Sequence, residues 1–333
     1  MNRFSRRSAC LALSGLAGLA GLALAAPALA QAHADSWPSR AIRVIVPTPP
    51  GGAYDATMRP LAQELSQVLK QPVVVENRPG AGNIIGAQAG AAAAPDGYTL
   101  TMTGMVNTIA AGIYDKLPFD IVGDFSHVGS IGAAAQWLVV RSDAGFGSLQ
   151  ELLAKARAEP GRINYASSGN GSTGHLLVEL LQRSAGIQLM HVPYKGGAPA
   201  LQDVLGGVVS VIVVPPNTAI PHVKAGKLKL LAVSTAQRNS AYPDVPTFEE
   251  LGFPQMTVSS WVGLSAPKGT PPAIVQKLNA AMAASLAKPA LRTRLENDGM
   301  TPLTMTPAQF SDLVRSDAQR WIQLTRSLNI KAN

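Results

Sequence analysis

The chain alternates short β-branched runs with longer stretches of helical periodicity, beginning at residue 42. The run from Ile42 to Val46 predicts a strand, and the segment 47–52, PTPPGG, cannot continue it. Apolar residues then recur at helical spacing from Met58 to Leu69. A strand, a stiff turn and a helix start aim free backbone N–H groups at one point. A helix N-terminus attracts anions, so this segment predicts a site for a negatively charged ligand.

The same alternation continues along the chain and predicts an α/β protein. Further predicted strands are Val73–Glu76, Tyr98–Met102, Gln136–Val140, Ile163–Ser168, Ile187–Tyr194, Val208–Val214, Leu228–Ser234 and Val258–Ala266. Predicted helices are Asn83–Ala94, Leu149–Ala158, His175–Ser184, one starting near Pro199, and the tail from Pro271 to Asn333, where Pro307 opens a long final helix. Asp55 is a plausible cap of the first helix.

Residues 1–30 have the pattern of a secretory signal peptide. Three arginines precede an apolar run that ends in the small-residue site Ala28-Leu29-Ala30. Ser5-Arg6-Arg7 resembles a twin-arginine start, although Sec signals also carry paired arginines. A membrane anchor is the less favoured alternative, because the run is rich in Gly and Ala. The predicted location is therefore the periplasm of a Gram-negative type cell.

Cleavage after Ala30 would leave 303 of the 333 residues and remove the single cysteine, Cys10. The formal net charge of +8 would fall to +5, because the three arginines leave with the signal. A chain of this size buries about 75% of its unfolded surface and usually divides into two domains. The remaining basic residues are scattered, whereas a nucleic-acid surface needs a stripe of them, so no nucleic-acid partner is expected.

Residues 169–174, GNGSTG, match the dinucleotide pattern G-x-G-x-x-G between a predicted strand and a predicted helix. The acidic residue that would bind a ribose is missing, because 188–195 reads QLMHVPYK. We therefore reject a nicotinamide cofactor. What remains is a glycine turn with the hydroxyls of Ser168, Ser172 and Thr173 at a helix start, which suits a carboxylate or phosphate. A tight turn capped by Ser172 is the structural alternative.

Other chemistries find little support in the sequence. Gly226-Lys227 is followed by Leu228, so a Walker loop fails, and Asn170 replaces the first glycine of a nucleophile elbow around Ser172. No pair of carboxylates stands out for acid–base catalysis. We expect no catalytic residue, no metal and no cofactor. The histidines lack close metal spacing, although His175 is placed to touch a ligand or to cap its helix: His33, His127, His175, His191 and His222.

Five ordered motifs resemble one known family over essentially the whole chain after the signal. They are PSRAIRVIVPTPPGGAYD (38–55), VVVENRPGAGNIIGAQAGAAAAPDGYTL (73–100), NYASSGNGSTGHL (164–176), HVPYKGGAPALQDVLGG (191–207) and WVGLSAPKGTPPAIVQKLNAAM (261–282). The chain is similar to the TctC-like, Bug-type periplasmic solute-binding proteins of tripartite tricarboxylate transporters.

The resemblance implies a two-domain Venus-flytrap fold of type II-like form, with two crossing strands. Domain 1 would comprise 31–137 plus 257–333, and domain 2 would comprise 138–256. The protein would be a monomer that captures a small organic anion in the cleft and delivers it to two membrane subunits. The implied ligand-binding residues are Thr48, Pro49, Gly51, Gly52, Ala53, Tyr54, Asp55, Asn83, Ile84, Ser168, Gly169, Asn170, Gly171, Ser172, Thr173 and, less directly, Asn217.

Three positions depart from the pattern of the family. Thr48 stands where an aromatic residue is usual, Asn83 where glycine is frequent, and Ser210 where an aspartate is common. The space left at Thr48 favours an aromatic mono- or dicarboxylate. Two alternatives to transport stay open: a ligand-sensing receptor for a signalling partner, and a secreted hydrolase or transferase on the same fold.

Overall fold

The computed structural model describes residues 36–239, 242–327 and 330–331. The segment interpreted as a signal peptide, 1–30, lies outside the described residues. The strands are β1 (Ile42–Val46), β2 (Val73–Asn77), β3 (Thr99–Gly104), β4 (Phe125–Ala134), β5 (Trp137–Arg141), β6 (Asn164–Ser167), β7 (Met190–Pro193), β8 (Val211–Val214), β9 (Leu228–Val233), β10 (Ser260–Pro267) and β11 (Met300–Pro302).

The helices of the described chain connect most of these strands, as in other α/β proteins. They are α1 (Ala53–Leu69), α2 (Ile84–Ala91), α3 (Met105–Ile113), α4 (Leu149–Ala158), α5 (Thr173–Ala185), α6 (Gly197–Leu205), α7 (Pro216–Lys224), α8 (Pro272–Leu286), α9 (Pro289–Asn297) and α10 (Pro307–Ser327). The α/β class predicted from the sequence is confirmed.

The strands form two separate sheets. The order of the six-stranded sheet is β11-β4-β10-β3-β1-β2, and the order of the five-stranded sheet is β7-β6-β8-β5-β9. In the first sheet β1 pairs in parallel with β2 and β3, and in the second β6 pairs in parallel with β7 and β8. The carboxyl ends of parallel strands lie at one edge of a sheet, where α/β proteins bind ligands. Each sheet therefore brings its strand-to-helix turns to one edge.

The chain crosses between the sheets twice, from β4 to β5 and from β9 to β10. Ser234, which is fully buried, ties the two crossings together. Its Oγ accepts the Gln136 amide hydrogen at 2.8 Å and donates to the Val258 carbonyl at 2.7 Å. Backbone bonds from the Ser234 amide to Gln136 O and from the Val258 amide to Ser234 O complete the connection. The two crossings are thus adjacent segments joined to each other by hydrogen bonds.

Four elements of the structure were not among the predicted ones: α3, β4, α7 and β11. The helix α3 begins directly after β3, with Gly104 as its N-cap. No turn residues therefore mark the change from strand periodicity to helical periodicity. The strand β4 contains glycines, which are rare in strands, because its neighbours pack closely against it. A Cβ on Gly132 would lie 2.7 Å from the Thr301 carbonyl oxygen of β11. Only tertiary packing explains these glycines.

Candidate functional site

The loop between β1 and α1 is braced by one buried carboxylate, that of Asp55, which is 3% exposed. Its Oδ2 accepts hydrogen bonds from the Gly51 amide and from Arg59 Nε, both at 2.8 Å. Its Oδ1 accepts one from Asn77 Nδ2 at 2.9 Å, and the same amide nitrogen donates to the Thr48 carbonyl oxygen at 2.9 Å. Asp55 therefore holds the loop in shape from within the protein.

These contacts also set the charge state of Asp55. Burial alone would raise its pKa, but the hydrogen bonds from Arg59, Gly51 and Asn77 outweigh burial and hold the pKa below its usual value. The carboxylate is thus ionised and paired at neutral pH. The expectation that Asp55 caps α1 is wrong, because the N-cap is Gly52 and makes no side-chain cap bond.

Thr48 and Gly52 pack tightly against each other in this loop. A Cβ on Gly52 would lie 3.2 Å from Thr48 Oγ1 and 3.1 Å from the Pro49 carbonyl oxygen. Thr48 Oγ1 is buried and has no hydrogen-bond partner among the described residues. Because an unpaired buried hydroxyl is costly, this oxygen is a strong candidate for a ligand contact.

Tyr54 follows in the first turn of α1 and reaches across to the start of α3. A Cβ on Gly104, the N-cap of α3, would lie 2.0 Å from the Tyr54 hydroxyl oxygen, so only glycine fits there. Burial raises the pKa of Tyr54 well above its ordinary value, so the phenol is neutral. The first loop is therefore fixed to the neighbouring strand end.

The turn 80–83 adopts a backbone conformation that L-residues rarely take. Ala81, Gly82 and Asn83 have φ values of 47°, 61° and 75°, and Gly80 has φ 133°. Such left-handed runs are costly for residues with a Cβ and occur mostly where tertiary structure requires them. Here the requirement is visible, because a Cβ on Gly82 would lie 3.2 Å from the Asn170 carbonyl oxygen. The turn of the first sheet meets the glycine turn of the second.

The glycine turn 168–172 is held by a hydrogen bond within it and by two bonds to the first turn of α5. Ser172 is the N-cap of α5, which was the structural alternative for this turn, and its Oγ accepts from the His175 amide at 3.3 Å. The Ser172 amide donates to Gly169 O at 3.1 Å, and the Gly171 amide donates to His175 Nδ1 at 3.1 Å. The Gly171 N–H thus points at an imidazole, and the amides left for a ligand are those of the first turn of α5.

Ile113, the last residue of α3, and Tyr114, its C-cap, complete the contact between the sheets. Neither residue was predicted from the sequence. A Cβ on Gly171 would lie 2.8 Å from Ile113 Cδ1 and 3.8 Å from the Tyr114 hydroxyl. Gly171 also has φ 75°. The only sequence signal for this pair was the apolar run after Gly104, which was not recognised as a helix.

Asn217 lies at a second contact between the two halves. A Cβ on Gly299, just before β11, would lie 2.6 Å from Pro216 Cβ and 3.2 Å from the Asn217 amide nitrogen. Asn217 stands in the first turn of α7 and its Oδ1 accepts a bond from Thr218 Oγ1 at 3.2 Å. A ligand contact for Asn217 stays a prediction.

The predicted site residues differ in accessibility. Asp55, Ile84, Gly171 and Ser172 are buried; Thr48, Gly52, Tyr54, Asn83, Gly169, Asn170, Thr173 and Asn217 are half-buried; and Pro49, Gly51, Ala53 and Ser168 are exposed. Asp55 is the only residue of this set with a charged side chain, and Arg59 neutralises it. The set therefore presents backbone amides and neutral polar groups, which bind a carboxylate by hydrogen bonds.

Within 36–239, 242–327 and 330–331, no three His, Cys, Asp or Glu side chains are grouped as metal binding requires. In the same ranges no helix combines the length and the apolarity that a membrane span needs.

Two α/β lobes, two crossing segments and opposed helix-starting turns define a two-domain binding protein of the Venus-flytrap type. The model of one family, described as tripartite tricarboxylate transporter family receptor, matches residues 57–330, and the chain belongs to this family. It is 38% identical over 304 residues to Protein BugT of Bordetella pertussis, an alignment that covers 91% of this chain and 93% of BugT.

Solved structures of other binding proteins also match this fold. The periplasmic binding protein BugD superposes with a TM-score of 0.83 at 31% identity, over 89% of this chain and 100% of BugD. The R. palustris protein Rpa4515, solved with adipate, also gives 0.83, at 32% identity over 89% of this chain and 99% of its own. The resemblance to Bug-type receptors inferred from the five motifs is confirmed, as is the two-domain fold.

Proposed function

We propose that this receptor captures a small organic anion, a carboxylate, between its two lobes in the periplasm and delivers it as a monomer to the membrane subunits of a tripartite tricarboxylate transporter. Domain 1 would comprise 31–137 plus 257–333, and domain 2 would comprise 138–256. One observation carries the proposal: the turn at Gly82 meets the turn at Asn170 across the lobe boundary, with 3.2 Å between a Cβ on Gly82 and the Asn170 carbonyl oxygen. Capture without chemical conversion is the proposed activity.

Electrostatics support an anion over a cation. The helices α1 and α5 start in the two lobes, each at a turn on the carboxyl edge of its sheet, and the partial positive charge of a helix N-terminus favours an anion. A ligand that touches both turns makes its full set of contacts only in the closed form, so it shifts the population toward closure. The adipate bound to Rpa4515 is a dicarboxylate and agrees with this ligand class.

Within carboxylates, we propose an aromatic mono- or dicarboxylate as the preferred ligand. The argument rests on Thr48, whose side chain leaves more room than an aromatic one and carries a hydroxyl without a partner among the described residues. The variant Thr48→Phe should therefore weaken binding of aromatic carboxylates more than binding of acetate-sized ones.

Titration calorimetry of the purified protein tests the ligand class. The panel should contain benzoate, phthalate, terephthalate, adipate and malate, with choline and glucose as cationic and neutral controls. Saturable binding of at least one carboxylate, with no heat from the controls, is the expected result. Binding of only choline or glucose would overturn the proposal, and turnover of a bound carboxylate would identify an enzyme. Native mass spectrometry of protein purified from its host would identify the natural ligand.

A further inference from the structure

Three aromatic rings are stacked directly behind the glycine turn 168–172. The His175 and His191 rings lie with centroids 4.1 Å apart and planes 11° apart, and the Tyr165 ring lies 4.8 Å from His191 at 19° and 6.5 Å from His175 at 13°. The three residues come from α5, β7 and β6. Tyr165 is fully buried and His175 is 8% exposed. Tyr165 and His175 therefore lie in the interior of the second lobe, whereas His191 is half-buried.

Both imidazoles are connected to the backbone of the turn. His175 Nδ1 accepts the Gly171 amide hydrogen at 3.1 Å. His191 Nε2 lies 2.7 Å from Ser167 Oγ, and that oxygen accepts the Gly169 amide hydrogen at 3.2 Å. The amides of both glycines are thus held, one directly and one through Ser167. Since glycine has the greatest conformational freedom, such bonds decide which conformation the turn adopts.

The Gly171 bond requires a neutral imidazole. A backbone N–H can donate to Nδ1 only if that nitrogen keeps its lone pair, which places the proton of His175 on Nε2. A protonated His175 would lose the bond and would lie face to face with His191. Burial lowers the pKa of both histidines to about 4. Charge repulsion from His175 lowers the pKa of His191 further.

The other ionisable groups around the stack do not remove this requirement. Glu179 accepts a hydrogen bond from the Tyr165 hydroxyl at 2.7 Å and from Gln182 Nε2 at 2.7 Å. Its charge favours protonation of His191, but burial outweighs it. Burial and Glu179 both raise the pKa of Tyr165, which therefore stays neutral. At neutral pH the stack consists of three uncharged rings.

We propose that His175 and His191 are positioning residues: as neutral rings they hold the turn 168–172 in its ligand-binding conformation, and protonation of His175 releases it. This inference rests on the proposed function, in which that turn contacts the anion. The histidines act through the turn and do not touch the ligand. Acidification therefore weakens binding through the protein as well as through protonation of the ligand.

Two substitutions at one position separate the hydrogen bond from the packing. His175→Phe keeps a ring in the stack but removes the acceptor of the Gly171 amide. His175→Asn loses the ring, but its side-chain oxygen stands close to the place of Nδ1 and accepts the same bond. His222→Phe is the matched control, because it makes the same substitution in the last turn of α7, which contributes no residue to the stack or to the turn 168–172. Each variant is first checked for folding by circular dichroism and thermal unfolding.

Amide hydrogen exchange of Gly171, followed by NMR without ligand and divided by the intrinsic rate, is the first measurement. An unsatisfied buried donor costs enough to lower protection about tenfold or more. We expect this loss in His175→Phe, near-native protection in His175→Asn, and no change in His222→Phe. Unchanged protection of Gly171 in folded His175→Phe would overturn the proposal.

The affinity for adipate, measured by calorimetry at pH 7.5 and pH 4, is the second measurement. His175→Phe should bind about tenfold more weakly at pH 7.5, and His175→Asn should bind as wild type. At pH 4, where about half of His175 is protonated, wild type should lose about twofold more affinity than His175→Asn; adipate protonation is common to both and cancels in the comparison. Native adipate affinity of His175→Phe would refute the positioning role and leave the proposed function intact. If wild type binds no carboxylate while Gly171 protection falls in His175→Phe, the proposed function fails and the support of the turn stands.

Discussion

At the scale of single residues, Thr48 is the position where stability and ligand binding are most easily separated. Its hydroxyl is buried without a partner among the described residues, so the folded protein gains nothing from it. The substitution Thr48→Val should leave the free energy of unfolding unchanged or raise it by up to about 1 kcal/mol. It should weaken carboxylate binding about tenfold if the hydroxyl contacts the ligand. Urea unfolding and calorimetry measure the two effects.

Thr270→Val is the matched control for this prediction. Thr270 is also buried, at 4% exposure, but its Oγ1 donates to the Pro267 carbonyl at 2.8 Å. Losing that bond should lower the free energy of unfolding by about 1 kcal/mol with no change in affinity. If Thr48→Val and Thr270→Val changed the carboxylate affinity equally, Thr48 would not be a ligand contact.

Gly171 and Gly186 separate backbone strain from contact between the lobes. They have φ values of 75° and 63°, so alanine at either position should cost about 1 kcal/mol of unfolding free energy. A Cβ on Gly171 would also lie 2.8 Å from Ile113 Cδ1, whereas one on Gly186 would meet nothing within 4 Å. Gly171→Ala should therefore also oppose closure. Small-angle scattering with saturating ligand should show a larger radius of gyration for Gly171→Ala only, and equal radii would contradict this assignment.

At the scale of elements, the first loop depends on contacts that lie outside its own sequence. Asp55 joins α1 to β2 through Asn77, and Asn77 in turn holds the Thr48 carbonyl. Asp55→Asn keeps the size of the side chain but removes the charge that pairs with Arg59. We expect a loss of about 1–3 kcal/mol in unfolding free energy at pH 7, since the charged group is buried and hydrogen-bonded.

The lowered pKa of Asp55 sets the pH dependence of this contribution. The stabilisation is present above the pKa of an unfolded aspartate and disappears as the pH falls through the lower folded value. The Asp55→Asn effect should therefore shrink in acid. Asp312→Asn is the control, because the Arg315–Asp312 pair is exposed and should contribute little at any pH. A pH-independent effect of Asp55→Asn would show that its ionisation is irrelevant to the loop.

At the scale of the whole molecule, buried histidines should make the fold sensitive to mild acid. Burial lowers the pKa of His127, His175 and His191 from 6.5 to about 4. Between these values the unfolded chain binds more protons than the folded one, so stability falls as the pH falls from 6.5 toward 4. His127 alone, which packs between Phe125 and Phe310, should account for about 3 kcal/mol.

Urea unfolding at pH 7, 6, 5 and 4 measures this slope. His127→Phe should be less stable at pH 7, because the bond to Ser265 Oγ at 3.0 Å is lost, but its stability should fall less in acid. His222→Phe should follow the wild-type curve. Parallel curves for wild type and His127→Phe would exclude His127 as a source of the acid sensitivity.

Local patterns in the sequence predicted the strand, turn and helix of 42–69 and the α/β class, named the cap at Ser172 as an alternative, and the resemblance over five motifs identified the family. They succeeded because each depends on neighbouring residues: β-branched runs, helical spacing, glycine turns and caps. Tertiary structure alone decided that Asp55 braces the loop, that Gly82 meets Asn170 and Gly171 meets Ile113, and that Tyr165, His191 and His175 form one stack. The partners in the last three contacts are brought together by chain crossings and sheet pairing, which local periodicity does not encode.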